Sequence, residues 1–393
     1  MRAKLLPMND GVDWNMAAKI GTRLVPPGPR LTADERAAAV QRLRRAAGRA
    51  IELVAQASRL PGAPAAVEGV TLVVDRPGII WANAAMLTTV FCQQETGQNT
   101  SSNSFWTKLG GHFAGSGAGL VLAVTSTHVM GQYEPVSRRL LLNAPTVETV
   151  RRAIGADPDD FALWVCLHEQ THRQQFAAAP WLRDYLMGLM RRVAEVDEPA
   201  SPAKLARADK TDEKPGKDGG PGPDETAQHG HHLGGHPAGL GLLGVLTPPD
   251  VASSVDDAIA VMSLLEGYAD MLMDAAGAAV IPSLATIRRA VDARRDPNKR
   301  DLKTLLERAL GLTAKVDQYI DGKFFCEAVC RQVGLDGLNV AFSSREALPS
   351  RAELRRPEAW VTRQFGPAGP SGTPKVTGVP EPEPEPGAAG EPA

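Results

Sequence analysis

His168-Glu169-Gln170-Thr171-His172 is the segment whose residue types and spacing point most directly to chemistry. Four residues is about one helical turn, so on a helix both imidazoles leave the same face and can grip one metal ion. Glu169, beside the first histidine, can then face a water on that ion. Imidazole suits zinc, and an open fourth position lowers the pKa of zinc-bound water to about 7. A carboxylate next to that water can take its proton, which makes Glu169 the candidate general base. At ordinary histidine and glutamate usage, a chance match to this pattern in a chain of this length has a probability on the order of 1%. The bland alternative is a surface helix with two solvated histidines. Against it stand the apolar approach Val165-Cys166-Leu167 and the uncharged Gln170 and Thr171.

A zinc site of this kind needs a third protein ligand. The candidate is Glu266 in Leu264-Leu265-Glu266-Gly267-Tyr268-Ala269-Asp270, because its neighbours Val261, Met262, Leu272 and Met273 are apolar. A carboxylate in such a setting requires a partner, since burying it alone is expensive. Asp270, one turn on, can accept from the non-ligating nitrogen of His168 or His172 and so fix its tautomer. The alternative is a helix whose acidic side faces solvent.

Two helices must carry these residues. The first starts at Asp157-Pro158-Asp159-Asp160, where Asp157 can cap the free N–H groups and Pro158 suits the first helical position. Asp159 and Asp160 complement the dipole, and Pro180 ends or bends the helix. The second is expected to start at Ser253-Ser254, with Asp256 and Asp257 in its first turn, and to stop at Gly277. Further helices are expected over 31–60, capped by Thr32 with Glu35 as a capping box, and over 81–94, 281–295, 299–310 and 314–333. Strands are expected at 69–75 and 139–143. The run Gly119-Leu-Val-Leu-Ala-Val-Thr125 reads as helix or strand alike.

The chain has 393 residues with 38 Gly and 31 Pro, which concentrate in two stretches. Residues 196–247 are dense in Gly, Pro, His and charge, and 366–393 end in alternating Pro and Glu. Neither can bury enough apolar surface to offset its ordering entropy. The expected organisation is therefore an N-terminal helical region with short strands (1–195), a disordered linker (196–247), a C-terminal helical region carrying the third ligand (248–365) and a disordered tail (366–393). The fold class is mainly α with a small β component. With 43 Lys plus Arg against 45 Asp plus Glu, the net charge of -2 argues against a nucleic-acid partner. No run is long and apolar enough to span a membrane, and no signal-peptide pattern opens the sequence, so a cytoplasmic protein is expected. Four cysteines (Cys92, Cys166, Cys326, Cys330) do not make a disulfide framework.

The residues Val12 to Pro29, GQYEP at 131–135, the LHEQTH helix and the LLEGYAD helix together resemble the actinobacterial zincin-like (type 2) metallopeptidase family. Its members are labelled zinc-dependent metalloprotease or hydrolase, and one branch is labelled deazaflavin-cofactor (F-420) biosynthesis-associated. The resemblance covers about 12–345 apart from the linker. It implies a zincin-like fold in which His168, His172 and Glu266 bind zinc, Glu169 is catalytic and Asp270 supports a histidine. A peptide or protein substrate follows from the same resemblance. Arg173 and Gln174 depart from the general pattern, which is uncharged and then hydrophobic after the second histidine.

The function read from the sequence is a zinc-dependent hydrolase, a metallopeptidase. The alternative is a non-catalytic zincin-fold module that binds a partner. Lesser features complete the reading. Arg139 to Pro145 is placed to be the substrate-presenting edge strand or a plain core strand. Tyr133, Tyr268 and His128 are candidate transition-state donors or packed residues. The histidines at 229–236 are candidate adventitious metal ligands, and Cys326 and Cys330 read as buried thiols.

Overall fold

The computed structural model describes residues 13–61, 69–92, 114–194, 249–295 and 314–367. The expected linker, the histidines at 229–236, the helix at 299–310 and the tail beyond 367 lie outside the described residues. In chain order the elements are α1 (Trp14–Leu24), α2 (Ala33–Ser58), β1 (Val70–Val74), α3 (Arg76–Cys92), α4 (Ala114–Ser126), β2 (Gly131–Glu134), β3 (Arg139–Asn143), α5 (Ala144–Ile154), α6 (Pro158–Ala178), α7 (Trp181–Ala194), α8 (Pro249–Val280), α9 (Leu284–Arg295), α10 (Ala314–Asn339), α11 (Arg351–Leu354) and α12 (Pro357–Phe365). The chain is mainly helical with one small sheet, as its patterning implies.

Local signals set most helix ends. Thr32 Oγ1 accepts from Glu35 N at 3.2 Å, and Glu35 Oε2 accepts from Thr32 N at 2.7 Å, closing the capping box of α2. Asp157 Oδ1 accepts from the Asp159 and Asp160 amides at 2.9 and 3.0 Å, with Pro158 opening α6. Helix α8 begins at Pro249, ahead of the expected Ser253, since a proline is tolerated in a first turn where its missing N–H has no partner to lose. The helix breaks at Gly277, where φ of 68° is left-handed backbone that favours glycine. The ambiguous run at 119–125 is helix α4.

The sheet order is β1-β3-β2, with β1 parallel and β2 antiparallel to β3. Of the two readings of Arg139 to Pro145, the core strand holds and the edge strand does not, with residues 144 and 145 already in α5. β3 has a neighbour on each side, and Leu140, Leu141 and Leu142 are all buried. A continuous apolar run suits a strand covered on both faces. The sheet ends on β2.

Helix α6 runs through the main core. Phe161 to Leu167 are buried together with residues of α2 (Leu43, Ala47), α8 (Leu264, Tyr268), α10 (Phe325, Val329) and α12 (Trp360). The regions before and after 196–247 thus share one core. A smaller cluster of Trp14, Ala17, Ile80 and Leu122 joins α1, α3 and α4. Helices α8 and α10 cross with backbone in contact: a Cβ at Gly267 would run into the Gly322 main chain. That crossing, one residue from Glu266, limits how α8 can roll against its neighbours.

Candidate metal centre

The second half of α6 is polar in sequence yet buried. Gln170 Nε2 donates to the Ala47 carbonyl at 3.1 Å, Gln174 Nε2 to Leu60 at 3.4 Å and Gln175 Nε2 to Leu265 at 3.1 Å. Arg173 Nη2 donates to the Gly69 carbonyl at 2.6 Å. These bonds satisfy buried polar groups and bolt the helix to α2, to the start of β1 and to α8. His168 and His172 are left on the remaining face, with rings 4.6 Å apart and edge-on.

Glu266 of α8 meets that face. Its Oε2 lies 3.1 Å from His168 Nε2 and 3.6 Å from His172 Nε2, and the two Nε2 atoms are 3.1 Å apart. Zinc ligands at about 2.05 Å in a tetrahedron are separated by about 3.3 Å, which these three distances bracket. Glu266 Oε2 is buried and has no donor in good hydrogen-bonding geometry, while the two Nε2 atoms lie within hydrogen-bond distance of each other. The side chains are 18%, 14% and 13% exposed. Among the described residues this is the group of three potential ligands that could hold a metal ion, and the residues fit zinc.

The outer nitrogens have different partners. Because the Gln175 amide gives its NH2 to Leu265, its Oε1 is the atom facing His172 Nδ1, at 3.0 Å. This assigns the proton to Nδ1 and leaves the Nε2 lone pair for a metal. His168 Nδ1 faces Met273 Sδ at 3.3 Å. Asp270, expected in this supporting role, places Oδ1 3.3 Å from Arg288 Nη1, while its carbonyl accepts from Arg288 Nη2 at 2.7 Å. Gln175 and Met273 were missed because neither carries the charge that marked Asp270. The i, i+3 spacing of His172 and Gln175 was the available signal.

Charge reinforces the cluster. Burial pulls His172 down, but the Glu266 carboxylate, with Glu169 and Gln175, outweighs it and lifts the imidazole to about 9. Burial pushes Glu266 up, and the two histidines outweigh that and hold it well below the usual carboxylate range. Burial, then the Glu169 charge, push the Cys166 thiol far up, so it is an inert core group.

Glu169 is buried under β2, with Gly131 directly against it. Of the lesser candidates, Tyr268 is fully buried and its hydroxyl contacts the Ser58 carbonyl and Asn339 Oδ1 at 3.1 and 2.9 Å, a packing role. Tyr133 stacks against Phe176 at 5.6 Å, and His128 Nδ1 sits 2.8 Å from the Val124 carbonyl. Cys326 is buried and Cys330 half-buried, both free thiols. Behind Met273, an apolar cleft of about 280 Å3 opens between α2, α6 and α8.

Fold and site together give a mostly helical protein in which two histidines and one carboxylate from two helices form a possible metal site. The zincin-like metallopeptidase family matches residues 12–361, and the chain belongs to it. A solved structure from Chloroflexus aurantiacus, provisionally called a hydrolase with a novel fold, is similar at 22% identity and a TM-score of 0.59, over 90% of this chain and 98% of that one. At that identity the likeness speaks for the fold alone. No curated protein matches the chain. Among the described residues no helix is long and apolar enough to cross a membrane.

Proposed function

We propose that the protein is a zinc-dependent hydrolase, a metallopeptidase, with Glu169 as general base. The observation that carries this is the triangle of His168 Nε2, His172 Nε2 and Glu266 Oε2, whose sides of 3.1 to 3.6 Å suit three vertices around one zinc ion. Zinc held there would lower the pKa of a water to about 7 and polarise a substrate carbonyl. Glu169 takes the water's proton and returns it to the leaving amine. Gln175 holds His172 in the tautomer that presents Nε2. Asp270 acts with Arg288 to hold α8 against α9, so its support of the histidines is indirect.

The substrate class we favour is a peptide or protein, laid beside the end strand β2 above α6. The experiment is Glu169→Gln, which we expect to keep one zinc per chain and to lower turnover of a peptide library by roughly 100- to 10,000-fold. Unchanged turnover would reject the general-base role. A zinc-loaded wild type that cleaves nothing would favour the partner-binding alternative.

A further inference from the structure

Gly131 opens β2, and a side chain there would have no room. A Cβ at this position would stand 2.5 Å from Glu169 Cγ, 2.7 Å from Cδ and 2.8 Å from Oε1. The neighbour it would meet is thus the full length of one carboxylate-bearing side chain, itself buried. Two residues along the strand, Tyr133 packs on Phe176, seven residues along α6 from Glu169. β2 therefore lies along the Glu169 face of the helix.

The hydrogen-bond pattern adds a second property. Asn143 N donates to the Met130 carbonyl at 2.8 Å, and Gly131 pairs with Leu142 in the register. In an antiparallel ladder the bonded pairs alternate, so 131 and 142 form a non-bonded pair and the Gly131 N–H and C=O point away from β3. Among the described residues no strand lies on that side.

We propose that Gly131 is a positioning residue: its bare Cα forms the roof that sets where the Glu169 carboxylate sits relative to the two histidines. A methyl group there must push the carboxylate aside, because the strand is tied to β3 and the helix is bolted by its glutamines. Direct ligands are untouched, so metal binding and carboxylate position separate. The proposal rests on the general-base reading above for its catalytic consequence, but not for the contact itself.

The test combines Gly131→Ala, Glu169→Ala and the double variant with cobalt(II) loading. In thermal unfolding, Gly131→Ala should lower the midpoint when Glu169 is present, and most of that loss should vanish in the Glu169→Ala background. In the cobalt-loaded protein, the pH-dependent change of the visible spectrum should move in Gly131→Ala toward that of Glu169→Gln, at one metal per chain. On a cleaved peptide, kcat should fall about 100-fold with KM little changed, as expected for a misplacement on the order of 1 Å. An equal loss of midpoint in both backgrounds, failure of the double variant to fold when Glu169→Ala folds, or a spectral transition identical to wild type would overturn the proposal. If wild type cleaves nothing, the hydrolase reading fails while unfolding and spectra still decide the role of Gly131.

Discussion

Glu266→Gln keeps the shape of the third ligand and removes its charge, and its effect should depend on pH. In the metal-free protein the carboxylate, 3.1 and 3.6 Å from the histidine Nε2 atoms, is the main attraction that lifts His172 to about 9 against its burial. Against an ordinary 6.5 this contributes about 3 kcal/mol to stability. Because the folded value is raised, that contribution is full below pH 6.5 and is lost as pH rises through 9. Zinc needs a neutral imidazole, so at pH 7.5 it must displace a proton held about 1.5 pH units more tightly than solution demands, a roughly 30-fold handicap. The wild type should therefore release about one proton per zinc from His172 at pH 7.5, beyond any lost by a zinc-bound water, with affinity rising at least about tenfold per pH unit toward pH 9.

The substitution removes both the handicap and a ligand. Structural zinc sites are worth about 10–16 kcal/mol over four ligands, so one ligand is worth roughly 100- to 1,000-fold. At pH 9.5 Glu266→Gln should show that full loss. At pH 7.5 relief from the proton should trim it to roughly 3- to 30-fold. Competition against a chromogenic chelator at both pH values reads the affinities, and calorimetry in buffers of different ionisation enthalpy counts the protons. Equal affinity of the two proteins at pH 9.5, or the same number of protons released by variant and wild type at pH 7.5, would refute the reasoning.

Gln175→Leu should weaken zinc binding by roughly 10- to 100-fold while the protein stays folded, because His172 loses the acceptor that fixes its tautomer; unchanged chelator competition would remove Gln175 from the site. Arg173→Met should lower stability in urea by about 1–3 kcal/mol, since the Gly69 carbonyl loses its 2.6 Å partner where α6 meets β1. Identical urea curves would show that this bond contributes nothing net.

The parts of the site that lie within one turn of helix were legible from residue order. His168, Glu169 and His172 are placed by a period of 3.6 residues, and Asp157 and Pro158 mark where that period begins. Glu266 was legible for another reason: a carboxylate among Leu264, Leu265 and Ala269 must have a partner, and the histidines were the partner on offer. What was not legible has causes as definite. The roles of Gln170, Arg173, Gln174 and Gln175 left no local pattern, because each donates to a carbonyl of a neighbouring element, and those carbonyls come from distant parts of the chain. Asp270 was expected to support a histidine; its Oδ1 lies 3.3 Å from Nη1 of Arg288 on α9, a partner that a one-turn spacing does not reveal.

Residue order alone therefore pointed to the helical class, the capped helix that carries both histidines and the three side chains that converge, because helix geometry and the cost of burying charge act locally. Tertiary structure decided the rest. That β3 is the central strand depends on its pairing with β1, some 70 positions away, which covers its second edge. That left β2, with its glycine, to lie on Glu169. The closeness of that contact comes from the meeting of a strand and a helix some 38 positions apart in the chain, and no local period encodes it.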